Sequence, residues 1–147
     1  MEFFNKLEEV IIKLEIETKT KWGEMSPSQM LEHLIQSCKM IHQNNTKILI
    51  KKERIPKVIA FLYSDKEIQK GIKVDESIGY SFSSEKDLEL EKVKTQLIME
   101  TKEMVSFLNT NPNFKAIHPY FGKLNAEQWI LFQNKHFTHH LKQFGLL

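Results

Sequence analysis

The sequence has little cysteine, little glycine or proline, and almost no net charge. Its single cysteine, Cys38, has no second thiol with which to form an intrachain disulfide. The 5 Gly and 4 Pro among 147 residues disfavour a turn-rich, all-β fold. A formal net charge of +2 is too small to indicate a nucleic-acid partner.

Long apolar runs are also missing. No run reaches the roughly 18 apolar residues that a membrane span needs, so no membrane partner is expected. The start of the chain does not read as a signal peptide, because Glu2 and Asn5 interrupt its only apolar stretch and Glu8 and Glu9 follow. Together with the single cysteine, this predicts a cytoplasmic protein in a reducing compartment.

What remains is the composition of an ordinary globular protein, with 41% hydrophobic and 27% charged residues. A chain of this length can bury one core, whereas two cores would be crowded. We therefore expect a single domain over residues 1–147.

Apolar residues at helical spacing predict four long helices. They are expected at about 2–17, from Pro27 to near Asn44, at about 84–109, and from Ala126 onwards, with a shorter helix at 53–64. Two helix starts are marked most clearly, because Ser26 and Asn125 are each followed three residues later by a Gln, which is a capping-box signature.

The spacing of these helices indicates a topology. Four long amphipathic helices are typical of a four-helix bundle, and a link of about eight residues between the first two suits antiparallel neighbours. The link of about forty residues between the second and third main helices is long enough for a crossover. We therefore predict an all-α, up-down-down-up four-helix bundle in which the second and fourth helices are antiparallel.

Six histidines in a small helical chain are the main chemical signal. His136 and His140 lie four residues apart, so that both rings share one face of a helix. His33 lies about 10 Å along the second predicted helix, at the level that the pair would occupy if the two helices are antiparallel. Three neutral imidazoles with an open position suit Zn²⁺, Ni²⁺ or Fe²⁺.

A structural role for these histidines remains an alternative at this point. A cationic His near a helix C-terminus interacts favourably with the helix dipole, and a buried ring can simply pack. Of the other candidates, His42 is expected to face solvent, His139 to lie beside the site or be exposed, and His118 to lie in a loop over one end. Glu100 is kept as a fourth ligand or proton acceptor.

Other site classes fit poorly. The segment 136–140 lacks the Glu of a zinc-protease motif, and no Glu-x-x-His pair of a di-iron bundle occurs. Cys38 lies on an apolar arc, which favours a core residue over a nucleophile. The basic run over residues 47–57 indicates a solvated face.

Three segments carry a resemblance to a known family. They read WGEMSPSQMLEH at 22–33, HPYFGKL at 118–124 and HFTHHLKQFG at 136–145, with Trp129 between the last two. In these segments the chain resembles the DinB-like (YfiT-like) superfamily of metalloenzymes. The likeness covers both ends and is vague across about 46–85.

The resemblance implies a four-helix bundle, often dimeric, with a divalent metal on one His of the second helix and a His-x-x-x-His of the fourth. Those positions correspond to His33, His136 and His140. It implies a metal-dependent hydrolase or a thiol-dependent transferase acting on an unknown small-molecule substrate, with a homodimer as the assembly. A non-catalytic metal-binding protein and a metal-free helical interaction protein remain the alternatives.

Overall fold

The computed structural model describes residues 2–72 and 89–147. The loop signals predicted at Gly79 and at 81–84, and the predicted start of the third long helix near Ser84, lie outside the described residues.

The described residues form six α-helices and one two-stranded antiparallel sheet. The elements are α1 (Glu2–Asn5), α2 (Leu7–Ile11), α3 (Pro27–Lys39), α4 (Ile55–Leu62), α5 (Leu90–Thr110), β1 (Lys115–His118), β2 (Gly122–Asn125) and α6 (Ala126–Gln143), with 3₁₀ turns at Met40–His42 and Lys52–Arg54. The predicted all-α four-helix bundle is therefore wrong, because a β-hairpin joins α5 to α6 and the first long helix is replaced by two short ones.

The predicted helix over 2–17 ends early. Tight bonds from the Lys13 N–H to the Val10 carbonyl (3.3 Å) and from the Leu14 N–H to the Ile11 carbonyl (3.0 Å) replace the regular helical ladder. Leu14, beyond the end of α2, is nevertheless buried in the core.

The starts of α3 and α6 are confirmed. The Ser26 hydroxyl accepts from the Gln29 N–H (3.2 Å), and the Gln29 side chain accepts from the Ser26 N–H (3.0 Å). Asn125 and Gln128 make the same reciprocal pair, at 2.9 and 3.0 Å. Each box satisfies backbone donors that the first turn of a helix leaves open, which fixes where the two site-bearing helices begin.

α5 is the longest helix, and it carries a stripe of buried apolar residues. The buried positions of that stripe are Leu90, Val93, Leu97, Met104 and Leu108. The helix ends at Thr110, where the Asn111 side chain donates to the Phe107 carbonyl (2.8 Å). None of the helices in the described ranges combines the length and apolar character that a membrane crossing requires.

The hairpin of β1 and β2 leads directly into α6. Its strands pair from Lys115 with Asn125 to His118 with Gly122. Gly122 has a φ of +77°, a left-handed conformation that favours glycine at this bend. Because Asn125 ends β2 and also caps α6, the hairpin sets the position of the helix that carries two of the candidate ligands.

The short helix predicted at 53–64 is confirmed as α4, preceded by a 3₁₀ turn. The chain that follows it lies along α6. The Lys135 ammonium donates to the Ser64 carbonyl (2.8 Å), and the His139 Nδ1 lies 3.2 Å from the Ile68 carbonyl. These contacts hold residues 64–68 beside the helix face that carries the histidines.

Candidate metal site

The site is built from facing sides of α3 and α6. His33 and Ser37 lie one turn apart on α3, while Gln133, His136 and His140 lie on α6. Ser37 contacts Gln133, and His33 contacts His136 and His140, so residue numbers rise along one helix as they fall along the other. The two helices therefore run antiparallel where they meet, and this brings the three histidines to one level.

The three imidazoles meet at a common point. Their ring centroids are 4.8 Å apart for His33 and His136, 4.6 Å for His33 and His140, and 4.8 Å for His136 and His140. One ring nitrogen of each residue lies within 4.8 Å of those of the other two. Each residue is 8% exposed, so that the cluster is nearly enclosed but not sealed.

His136 is held from behind by polar groups of both helices. Its Nδ1 lies 3.0 Å from the Ser37 hydroxyl, which also donates to the Gln133 Oε1 at 2.9 Å. The Gln133 side-chain amide in turn donates to the Ser37 carbonyl at 2.8 Å. The ring therefore presents its Nε2 edge to the cluster, and this nitrogen lies 2.8 Å from the His33 Nε2.

His140 is held in a similar way by a residue one turn further along α6. Its Nδ1 lies 2.8 Å from the Gln143 Oε1, and the Gln143 Nε2 donates to the Trp22 carbonyl at 2.8 Å. The turn before α3 is thereby joined to the site.

Burial keeps the three rings neutral. Burial, together with the neighbouring His140 and His139, lowers the pKa of His33 to about 3. Burial and His139 lower the pKa of His140 to about 4, although its hydrogen bond to Gln143 acts in the opposite direction. The pKa of His136 is also held well below its usual range, first by burial and then by His33 and His140. Neutral imidazole is the form that binds a metal ion, so the cluster is in its binding form at neutral pH.

The donor set fits a first-row divalent metal. Imidazole nitrogens bind Zn²⁺ at about 2.0–2.1 Å, and two ligands at that length in a tetrahedral site lie about 3.3 Å apart. The Nε2 atoms of His33 and His136, at 2.8 Å, would need to separate only slightly. Three protein ligands leave a coordination position open, which is the pattern of catalytic zinc sites rather than of closed structural ones.

The remaining histidines and Glu100 do not join the cluster. His42 is exposed, as predicted, with its ring against Phe107 (4.6 Å between centroids). His139 lies beside the site, half-buried, with its ring 5.5 Å from that of Trp22. Glu100, on α5, pairs with the Lys39 ammonium at 3.1 Å and is therefore not placed as a fourth ligand.

Cys38 is a core residue, as its place on the apolar arc predicted. Its thiol is buried 3.8 Å from the Thr101 hydroxyl, and burial raises its pKa to about 12. A thiol with so high a pKa is a poor nucleophile at neutral pH.

His118 lies in β1 rather than in the predicted loop, and it is buried outside the cluster of three histidines. Its ring packs against those of Phe132 (4.3 Å between centroids) and Phe121 (5.0 Å). Its Nδ1 accepts a hydrogen bond from the Tyr120 N–H at 3.0 Å. Burial lowers the pKa of His118 to about 3.

His118 is expected to make the fold acid-sensitive. Its pKa is lower in the folded protein than in the unfolded chain, so the unfolded chain takes up a proton first as the pH falls below about 6.5. Stability is therefore lost between about pH 6.5 and pH 3, by roughly 2 kcal/mol between pH 6 and pH 4 for this one residue.

The substitution His118→Asn tests this. An Asn oxygen can accept the same N–H two residues on but does not titrate, so we expect a flatter fall in stability with acid than in the wild type. Urea unfolding at a series of pH values measures the slope, and His42→Asn, at an exposed position, is the matched control. If the free energy of unfolding of His118→Asn fell with pH as steeply as that of the wild type, the acid sensitivity would not come from His118.

Sequence reasoning missed the two glutamines and the Trp22 carbonyl. A signal was present, since Gln133 is three residues before His136 and Gln143 is three residues after His140, which places each on the ligand face. Glutamine is usually exposed, however, and its burial here depends on hydrogen bonds to α3 and to the turn before it.

A family model matches residues 4–145, and its description is "Protein of unknown function (DUF1569)". No curated protein and no solved structure matches the chain. The assignment to the DinB-like superfamily was therefore wrong, and the homodimer expected with it loses that support. Because the matching model covers nearly all of the chain, the protein belongs to the DUF1569 family.

Proposed function

We propose that the protein binds one divalent metal ion through His33, His136 and His140. The observation that carries this is the meeting of three buried imidazoles, from two helices, at one point. Removing three titratable rings from water lowers the pKa of each, which costs stability at acidic pH. A bound ion, which stabilises the folded state alone, would offset that cost.

The proposed ion is Zn²⁺, Ni²⁺ or Fe²⁺, and when bound it would supply Lewis acidity at its open position. The chain's own residues keep the three rings neutral, orient them from behind and restrict the access of water. This arrangement suits metal-dependent hydrolysis, or transfer to a thiol, with a small molecule as the substrate. A non-catalytic metal-binding protein would use the same ligands.

One contact favours a second candidate, a metal-free structural role. The Nε2 atoms of His33 and His136 lie at hydrogen-bond distance, 2.8 Å, so that one ring can donate directly to the other. In that case the histidines would be a buried polar cluster that holds α3 against α6.

Metal analysis separates the two candidates. Protein purified without a nickel column and incubated with excess Zn²⁺, then desalted, is expected to retain one equivalent by mass spectrometry. Retention of less than about a tenth of an equivalent, with no effect of chelator on the melting temperature, would favour the metal-free role, because a tight ligand must raise stability.

A further inference from the structure

We propose that Gln143 and Gln133, the latter through Ser37, are positioning residues that fix the tautomers of His140 and His136. Each ring would carry its proton on Nδ1 and present an unprotonated Nε2 to the cluster. The purpose of this arrangement rests on the proposed metal binding, whereas the hydrogen bonds that set the tautomers join groups of the protein to one another.

The Trp22 carbonyl sets the orientation of the Gln143 side-chain amide, and through it the tautomer of His140. A carbonyl only accepts, so the Gln143 atom 2.8 Å from it must be the amide nitrogen. The amide oxygen of Gln143 then faces the His140 Nδ1 at 2.8 Å, and this oxygen also only accepts. The Nδ1 of His140 must therefore be the donor, which leaves the lone pair of the neutral ring on Nε2.

Gln133 sets the tautomer of His136 indirectly, through the Ser37 hydroxyl. The Gln133 amide nitrogen donates to the Ser37 carbonyl at 2.8 Å, so its oxygen faces the Ser37 hydroxyl and accepts that proton at 2.9 Å. With its proton used, the hydroxyl oxygen can only accept from the His136 Nδ1, at 3.0 Å. His136 is thereby held in the same tautomer as His140, by a different chain of bonds.

The turn before α3 is shaped for this contact. Gly23 has a φ of +79°, a conformation that residues with side chains rarely adopt, and a Cβ added there would lie 2.6 Å from the Gln143 Nε2, so that the Gln143 amide would have to move. The Lys21 N–H also donates to the Gln143 carbonyl, at 2.8 Å. The backbone of residues 21–23 thus approaches both the main chain and the side chain of Gln143, which explains a glycine at this position.

Neutral amide partners have a specific chemical effect. In metal sites, the nitrogen opposite the metal is commonly fixed by a hydrogen bond, and a carboxylate partner there also raises the basicity of the ring. A glutamine oxygen fixes the ring without adding a negative charge to a buried cluster. We therefore expect the site to orient its histidine ligands without neutralising the charge of the ion. The ion would then attract an anionic atom of a substrate.

The test is the tautomeric state of the histidines in metal-free protein at pH 7, read from the ¹⁵N shifts of the imidazole nitrogens. Both His136 and His140 are expected to show a protonated Nδ1 and an unprotonated Nε2. The substitution Gln143→Leu should remove this preference from His140 and leave His136 unchanged. Gln143→Glu, which keeps an acceptor oxygen for His140 although it loses the donor to the Trp22 carbonyl, should retain it. Gln96→Leu, on the exposed surface of α5, is the matched control.

Zn²⁺ affinity is the second measurement, made by chelator competition on the same variants. Losing a partner of this kind typically weakens metal binding about 10- to 100-fold, so Gln143→Leu is expected to fall in that range and Gln96→Leu to match the wild type. A protonated Nε2 on His140 in the wild type, or a Gln143→Leu protein with unchanged tautomers, would overturn the positioning role. Correct tautomers in a protein that binds no Zn²⁺ would support the positioning role and reject the metal-binding proposal.

Discussion

Replacing His33 with alanine is expected to lower the affinity for Zn²⁺ by more than about 100-fold, a larger effect than loss of an outer hydrogen-bond partner causes. His33 is the one proposed ligand on α3, and without it the remaining pair on α6 is an ordinary two-histidine site of the kind that any helix can present at this spacing. Isothermal titration calorimetry with Zn²⁺, or competition with a chromophoric chelator, measures the change.

Two other histidines provide matched controls for that experiment. His42 is exposed beyond the end of α3, and His139 lies beside His140 but outside the cluster. His42→Ala and His139→Ala are expected to bind Zn²⁺ within a few-fold of the wild type. Similar losses in all three variants would reject the ligand assignment. Because His33→Ala removes a buried ring, circular dichroism of each metal-free variant establishes that the fold is retained.

Zn²⁺ is also expected to stabilise the fold strongly. A ligand that binds only the folded state, at a thousand times its dissociation constant, raises the free energy of unfolding by about 4 kcal/mol. For a chain of this size that corresponds to a rise of about 10 °C in the melting temperature. Differential scanning calorimetry with Zn²⁺, and then with excess chelator, should show the rise and its reversal.

The variant His136→Ala makes that measurement specific. It removes one of the three rings of the cluster, and it is expected to lose most of the Zn²⁺-dependent rise while His42→Ala keeps it. A rise of equal size in His136→Ala would place the stabilising ion elsewhere on the protein. The absence of any rise in the wild type would argue against tight binding at the cluster.

The sequence predicted the candidate site better than it predicted the architecture. The spacing of His136 and His140, and the distance of His33 from the Ser26 cap, are set by regular helix geometry and hold wherever the helices form. The caps at Ser26 and Asn125 fixed where those two helices start. Regular helix geometry therefore predicted that the three rings lie at the same height along the helix axes, provided that α3 and α6 are antiparallel.

The hairpin could not be predicted in the same way. Its strands have four residues each, and β1 shows no clean alternation of buried and exposed side chains, because Ala116 and Ile117 are both half-buried. The pairing depends on contacts between separate segments, such as the Leu49 N–H to the Pro119 carbonyl (2.8 Å), which hold the turn in place. The aromatic residues around Pro119 therefore read as a loop.

The break in the first helix and the glutamine contacts have related causes. Leu7, Ile11 and Leu14 lie at helical spacing and are all buried, so the apolar pattern continues although α2 ends at Ile11. Gln133 and Gln143 are buried only because backbone carbonyls of Ser37 and Trp22 face them. Both features depend on tertiary packing, which a single sequence does not display.

The metal-binding account is tested most directly by a crystal structure of the protein loaded with one equivalent of Zn²⁺, with diffraction data collected on both sides of the zinc absorption edge. The account predicts a single anomalous peak at bonding distance, about 2.0–2.1 Å, from one nitrogen of each of His33, His136 and His140. A peak elsewhere, or no peak with His33 and His136 still hydrogen-bonded to each other, would contradict it.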